Sequence, residues 1–113
     1  MKLPLNYLKH IHDEAVFLQN EFNNISENDF YSNEALKRAA VRSLEVIGEA
    51  TKKIDVEFKD HYSNIEWKKM AGMRDKLIHG YFDVDYQIVW NIIKNKIPDL
   101  IQKIDIIISE LDS

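Results

Sequence analysis

Apolar residues recur at three- and four-residue steps along most of this chain. Such spacing places them on one face of an α-helix. The first series predicts a helix over about residues 4–24, with Pro4 tolerated in its first turn. A second series predicts a helix over about residues 33–54. The two series are Leu5, Leu8, Ile11, Ala15, Leu18 and Phe22, and Leu36, Ala39, Ala40, Leu44, Ile47, Ala50 and Ile54.

The segments beside the second helix carry weaker patterns. Residues 25–33 contain the Ser, Asn and Asp that favour turns and helix caps, although Phe30 and Tyr31 are expected to return to the core. Residues 55–65 are mixed and predict a short helical turn. Gly48 lies in the middle of the second helix, where a glycine costs about 1 kcal/mol relative to alanine. Close passage of another helix is the simplest reason for its presence.

Two more helices complete the pattern. The third is expected to start near Glu66 and to end at Gly80, which takes a left-handed conformation at low cost. Asp83 and Asp85 are candidate N-caps for the last helix. Pro98 should kink or restart that helix, which continues to about Leu111.

These elements predict an all-α protein: an up-and-down helical bundle of four main helices plus a short one, in a single domain over residues 1–113. The low content of glycine and proline, 3 and 2 residues, favours long helices in the same way.

Composition narrows the class of protein. The chain has no cysteine, so it has neither disulfides nor thiolate metal sites. It contains no apolar run of the ~20 residues that span a bilayer. Charged residues follow its N-terminus at once and interrupt the apolar stretch that a signal peptide would need. A cytoplasmic location without membrane association is expected. The net charge of −4 argues against a broad nucleic-acid-binding surface. Any RNA contact should therefore be local, in a groove where a few cations gather.

The chemistry-bearing residues are densest in the segment 67–82. Arg74 offers a fork of donors that matches phosphate oxygens, and His79 titrates near neutral pH and can move a proton in either direction. Together they could cleave RNA without a metal or cofactor, through attack of the ribose 2′-OH on phosphorus. The structural alternative is that an Arg and a His near a helix C-terminus only cap its last carbonyls.

Helical geometry constrains this pair. At about 100° per residue, Arg74 and His79 lie about 140° apart on a continuous helix and do not share a face. His79 must then reach Arg74 through an irregular helix end, or two chains must contribute across a symmetry axis. A homodimer would also double the local positive charge.

The spacing Arg74-x4-His79-x-Tyr81 resembles the signature of the HepT-like branch of the HEPN superfamily. The resemblance covers most of the chain: residues 44–50 are similar to the family's second-helix signature, and Trp67 with residues 71–75 and 79–82 to its catalytic block. Val89-Trp90 and Ile97-Pro98-x-Leu100 match its last helix. Two local departures affect the backbone rather than the chemistry. The family often has a proline shortly before its Trp, whereas Ser63-Asn64-Ile65-Glu66 precedes Trp67 here. Gly80 stands where the family frequently has Asp or another residue.

The resemblance implies a dimer whose cleft holds Arg and His from both protomers. It also implies metal-independent endoribonuclease activity on tRNA or mRNA. The protein would act as the toxin of a toxin–antitoxin pair. It implies that Arg74 contacts the scissile phosphate, that His79 acts as general base or acid, and that Asp75 orients one of them. The implied partner is an MntA-like nucleotidyltransferase antitoxin, which neutralises the toxin by transferring AMP to the motif tyrosine, here Tyr81. DNA is not an expected partner.

Other candidates carry weaker signals. Glu49 could support Arg74 across the helix pair, although a solvated helix-face carboxylate is the simpler interpretation. His10, His12 and His61 do not form a metal set and are expected at the surface. Trp67 and Trp90 are interpreted as core anchors, with stacking on a base as the alternative.

Two other functions remain open from the sequence. A non-catalytic module could bind a nucleotide or dock the transferase as its regulatory subunit, since related folds host different functions. This would show as binding without cleavage. A purely structural helical protein would leave the cluster of Arg74, His79 and Tyr81 unexplained.

Overall fold

The computed structural model describes residues 4–77 and 83–112, without the side chain of Arg74. Eight helices follow one another within these residues. They are α1 (Pro4–Phe22), α2 (Glu27–Ser32), α3 (Glu34–Lys53), α4 (Val56–His61), α5 (Trp67–Ala71), α6 (Met73–Leu77), α7 (Tyr86–Asn95) and α8 (Ile97–Asp112). The predicted all-α fold is confirmed.

Helix α1 lies at the centre of the bundle and packs along α3 on one side and α8 on the other. Tyr7 shares one groove with Ala50, and Phe17 shares another with Leu36, so α1 and α3 run antiparallel. The apolar series of α1 is buried as predicted at Leu8, Ile11, Ala15, Leu18 and Phe22. Burial of this face, rather than helix propensity alone, stabilises helices of this length.

Side-chain caps fix where several helices begin. Asn33 Oδ1 accepts from Leu36 N at 3.0 Å at the start of α3, and Asp55 Oδ1 accepts from Phe58 N at 2.8 Å at the start of α4. Each cap satisfies one of the backbone donors that a helix N-terminus leaves without a partner. The same chemistry at Asp85 confirms one of the two predicted caps of α7.

An aromatic cluster attaches α2 and α7 to the end of α1. The Phe30 ring lies 4.8 Å from that of Phe22 and 5.7 Å from that of Trp90, measured between centroids. Lys94 adds a polar contact by donating from Nζ to the Phe22 carbonyl oxygen at 2.7 Å, at the C-terminus of α1. Phe30 and the half-buried Tyr31 thus return to the core as predicted.

The structure corrects two predicted boundaries and decides between two alternatives at Pro98. Residues 25–33 were expected to supply turns and helix caps but no helix of their own, whereas they contain α2, which Ser26 caps by accepting from Asp29 N at 3.1 Å. The third long helix is divided at Gly72 into α5 and α6. Pro98 restarts rather than kinks the last helix, since it is the second residue of α8, where its missing N–H costs little. The expected end at Gly80 lies outside the described residues.

Candidate functional site

Helix α6 carries Arg74 between two anchors, the buried side chains of Met73 and Leu77. Asp75 and Lys76 on the same helix are exposed. The backbone of Arg74 therefore has a fixed place in the bundle, whereas its side chain lies outside the described part of the structure.

Gly48 brings α3 close to α5. A Cβ atom at this position would lie 3.2 Å from the Met70 carbonyl oxygen and 3.7 Å from that of Ala71. The first distance is shorter than ordinary contacts allow, so a larger residue would push α5 away. The predicted close helix crossing at Gly48 is confirmed, and it sets the distance between α3 and the segment that leads to Arg74.

Trp67 secures the start of α5. Its indole Nε1 donates to the carbonyl oxygens of Tyr62 at 2.9 Å and Lys59 at 3.1 Å, and its side chain is buried. Trp90 packs against Phe22 and Phe30. Trp67 is buried and Trp90 is half-buried against the core, so both are core anchors, as predicted.

A backbone hydrogen bond joins Leu77 and Asp85, the residues on either side of the motif segment 78–84. The N–H of Asp85 donates to the carbonyl oxygen of Leu77 at 3.1 Å. Asp85 also caps α7, where its Oδ1 accepts from Ile88 N at 3.2 Å. The end of α6 and the start of α7 are therefore held side by side. His79, Gly80 and Tyr81 belong to residues 78–82, which lie outside the described residues.

Glu49 and Glu45 occupy different sides of α3. Glu49 is largely exposed and its Oε1 lies 3.6 Å from Lys52 Nζ. Glu45 is half-buried and precedes Gly48 by three residues, a spacing that places both on one helix face. Gly48 faces α5, and Glu49 lines the groove between α1 and α3, so Glu45 rather than Glu49 lies on the side of α3 turned towards α5. Its spacing from Gly48 was the signal in the sequence that could have identified it.

The lysines of α5 differ in their electrostatic surroundings. Lys69 Nζ lies 2.8 Å from Glu66 Oε2, and Lys96 Nζ lies 3.7 Å from Glu66 Oε1. The hydrogen bond from Lys69 is the main cause that lowers the pKa of Glu66, and the same bond raises the pKa of Lys69. Lys68 is exposed and forms no ion pair with any residue in the described part of the chain. Lys69 is thus neutralised locally, and Lys68 is not.

The histidines outside the motif form no common site. His10 lines a groove between α1 and α3, and His61 contacts the Tyr62 ring edge-on. His12 was expected at the surface but is half-buried, with Nε2 2.7 Å from Asp105 Oδ1 on α8. Within residues 4–77 and 83–112, no group of three or more His, Asp or Glu side chains could hold a metal ion. The same residues contain no helix with the length and hydrophobicity needed to cross a bilayer.

Comparison with known proteins identifies close relatives over most of the chain. A protein of Caldanaerobacter subterraneus named "Putative RNase" is 51% identical over 100 residues, which is 88% of this chain and 89% of the relative. A "Probable ribonuclease HepT" of Thermococcus cleftensis is 45% identical over 96 residues, or 84% of this chain and 86% of the relative. No solved structure gives a significant match.

The family comparison agrees with these relatives. The model of the family described as "Ribonuclease HepT-like" matches residues 9–107, from the first turns of α1 to the last turns of α8. The matched region includes Gly48, Trp67 and Arg74 together with the segment 78–82. The resemblance noted in the sequence is confirmed, and the chain belongs to the HepT-like family of ribonucleases.

Proposed function

We propose that this protein is the toxin of a toxin–antitoxin pair and a metal-independent endoribonuclease whose catalytic residues are Arg74 and His79. The observation that carries the proposal is the match to the HepT-like ribonuclease family over residues 9–107, which includes both residues. The bond between Asp85 N and Leu77 O supports it, because this bond holds the start of α7 beside the end of the helix that carries Arg74. His79 follows Leu77 by two peptide units, which reach about 7 Å at most.

The reaction needs a proton acceptor, a cation that stabilises the phosphorane and a proton donor. His79 accepts the proton of the ribose 2′-OH, and the 2′-oxygen forms a bond to the adjacent phosphorus. Arg74 stabilises the charge on the phosphorane through its fork of donors. The bond from phosphorus to the 5′-oxygen then breaks, and a protonated imidazole supplies the proton that this oxygen requires. The products are a 2′,3′-cyclic phosphate and a 5′-hydroxyl.

A homodimer completes the proposed site. Two protomers related by a two-fold axis would place two Arg74 and two His79 side chains in one cleft, which concentrates positive charge in a protein whose net charge is −4. Asp75 is exposed on the same helix and can orient one of these groups. Glu45, on the face of α3 turned towards α5, is a better placed supporting carboxylate than Glu49.

Tyr81 is the proposed acceptor of AMP from a nucleotidyltransferase antitoxin. Its hydroxyl would form a bond to the α-phosphorus of ATP while pyrophosphate leaves. The added nucleotide would place bulk and negative charge over a cationic cleft and exclude RNA by both effects. Incubation with the partner and ATP should add AMP to wild type and to Tyr62→Phe but not to Tyr81→Phe, as detected by mass spectrometry.

The nuclease proposal is tested with total RNA and three variants. Arg74→Ala and His79→Ala should abolish cleavage and growth inhibition while circular dichroism stays that of the wild type. His61→Ala is the matched control, because His61 is exposed at the end of α4 and should retain full activity. Cleavage should persist in EDTA. Full activity of His79→Ala would refute the assigned mechanism, and nucleotide binding without cleavage by the wild type would favour a regulatory subunit.

Mixing the two inactive variants tests the shared cleft. A heterodimer of Arg74→Ala with His79→Ala keeps one Arg and one His in the cleft, so partial cleavage should return after mixing. Absence of recovery, with subunit exchange demonstrated by sedimentation or native mass spectrometry, would show that each protomer works alone.

A further inference from the structure

Two exposed lysines, Lys68 and Lys76, flank the half-buried Gly72 on the segment that carries Arg74. The Gly72 N–H donates to the Lys68 carbonyl oxygen at 3.1 Å, and the Lys76 N–H donates to the Gly72 carbonyl oxygen at 3.2 Å. Both bonds have the i to i−4 spacing of an α-helix, so they connect the three residues in sequence across the break between α5 and α6. We call Lys68, Gly72 and Lys76 the lysine row.

The lysine row carries uncompensated positive charge. Lys68 and Lys76 are both exposed, and neither forms an ion pair with a residue that the structure describes. Lys69 and Lys96, by contrast, share the Glu66 carboxylate. Residues 68–77 hold four Lys or Arg and one Asp, whereas the whole chain has a net charge of −4. A polyanion would therefore be attracted to this segment more than to the protein as a whole.

A groove extends from the row towards α4. It encloses about 670 Å³, and Lys59 and Lys68 lie on its lining together with Val56, whose side chain is 69% exposed. Asp60 and Glu66 also line it. Glu66 is engaged by Lys69 and Lys96, so Asp60 is the lining carboxylate that opposes Lys59 and Lys68.

The space between the two lysines is accessible to a single strand of nucleic acid. A Cβ atom on Gly72 would meet only the Lys68 carbonyl oxygen, at 3.5 Å, which is an ordinary contact. The absence of a side chain leaves the helix surface accessible between two ammonium groups. Single-stranded nucleic acid binds without sequence preference where cations follow its backbone.

We propose that the lysine row binds the phosphate backbone of the RNA strand beside the scissile bond and directs it to Arg74. This inference rests on the proposed function, because it takes RNA as the substrate. The lysines position the strand and do not contact the reacting atoms, so their effect should fall mainly on KM and on RNA affinity. Contact with phosphates carries no sequence information, and the effect should be equal for RNAs of different sequence.

The test measures the salt dependence of RNA binding, with His79→Ala as the background so that the RNA stays intact. Each phosphate contact on a single strand contributes about 0.7 to the slope of log Kd against log salt concentration. Lys68→Gln/Lys76→Gln should therefore lower this slope by about 1.4 and weaken binding roughly 20-fold at 0.1 M salt. Lys68→Arg/Lys76→Arg should keep the wild-type slope.

Two controls distinguish the effect of the lysine row on RNA binding from the effect of the protein's net charge. Lys9→Gln/Arg38→Gln removes two exposed cations from α1 and α3 and should leave the slope unchanged. Gly72→Glu inserts an anion between the lysines and should weaken binding, whereas Gly72→Gln, of equal size, should weaken it much less. An unchanged slope in Lys68→Gln/Lys76→Gln, or an equal loss in Lys9→Gln/Arg38→Gln, would overturn the proposal.

The outcome also separates this inference from the proposed function. Cleavage by the wild type together with an unchanged slope would refute the lysine row and leave the nuclease intact. RNA binding with the expected slope change but no cleavage by the wild type would support the row and refute the nuclease. Failure of the wild type to bind any RNA would refute both.

Discussion

The α1–α3 pair and the α5–α6 segment reach their places in the bundle by different means. Helices α1 and α3 have 19 and 20 residues and bury apolar residues along their whole length. Helices α5 and α6 have five residues each and are separated at Gly72. The segment that carries Arg74 is therefore held by a small number of specific contacts, whereas the pair that supports it is held by a continuous face.

This difference shows which part of the molecule depends on its neighbours. Helices as short as α5 and α6 are not stable by themselves in water. Their positions depend on the close approach at Gly48, the indole hydrogen bonds of Trp67 and the bond between Asp85 and Leu77. We expect substitutions in the long pair to lower global stability, and substitutions at these contacts to displace the site.

The largest loss of stability should come from the long pair. Leu44 is fully buried in α3, and Leu44→Ala should reduce the free energy of unfolding by about 2–5 kcal/mol, because it removes apolar contacts and leaves a cavity. Urea denaturation would measure this loss. At a temperature where the variant is folded, RNA cleavage should stay close to that of the wild type. A selective loss of cleavage in the folded variant would remove the distinction between the two regions.

Gly48→Leu should have a smaller effect on stability and a larger one on activity. The new side chain meets the Met70 carbonyl oxygen, so α5 must move away from α3 at a cost of about 1–3 kcal/mol. Because α5 leads to Arg74, cleavage should fall more than stability predicts. Gly48→Ala is the graded control, since it adds only the Cβ atom and gains helix propensity. Equal activity in all three proteins would show that this distance does not control the site.

The smallest effect is expected from Trp67→Phe. This change keeps most of the buried ring but removes the donor to the Tyr62 and Lys59 carbonyl oxygens. We expect a loss of about 1–2 kcal/mol, since two carbonyl groups lose a buried partner. Hydrogen exchange should increase in α4 and α5 while α1 and α3 stay protected. Trp90→Phe is the matched control, and increased exchange across the whole bundle in Trp67→Phe would contradict the local role.

Much of the fold could be predicted from the sequence because it depends on local chemistry. The apolar spacing in α1 and α3 and the caps at Asn33 and Asp85 each follow from interactions within a few residues. The division of the third helix at Gly72 could not be predicted in this way. The spacing of Trp67, Met70, Met73 and Leu77 fits one continuous helix equally well, and all four are buried.

Site residues show the same limit. Arg74, His79 and Tyr81 were selected from their spacing and chemistry, and the family match covers all three positions. The choice between Glu45 and Glu49 needed the structure, because both lie on α3 and only the packing of α5 shows which face turns towards Arg74. His12 was misjudged for a similar reason, since its partner Asp105 is 93 positions away in the chain.

The sequence by itself determined the helical class, the apolar faces of the long helices, the family and the choice of Arg74 and His79 as candidate catalytic residues. These properties depend on side-chain type and on spacings of three to eight residues. Only the tertiary structure decided which lysines are neutralised, which glutamate faces the site and how the ends of the motif segment are joined. The ion pair of Lys96 with Glu66 and the approach of α5 to Gly48 join residues more than 20 positions apart in the chain, and the packing of helices brings these residues together.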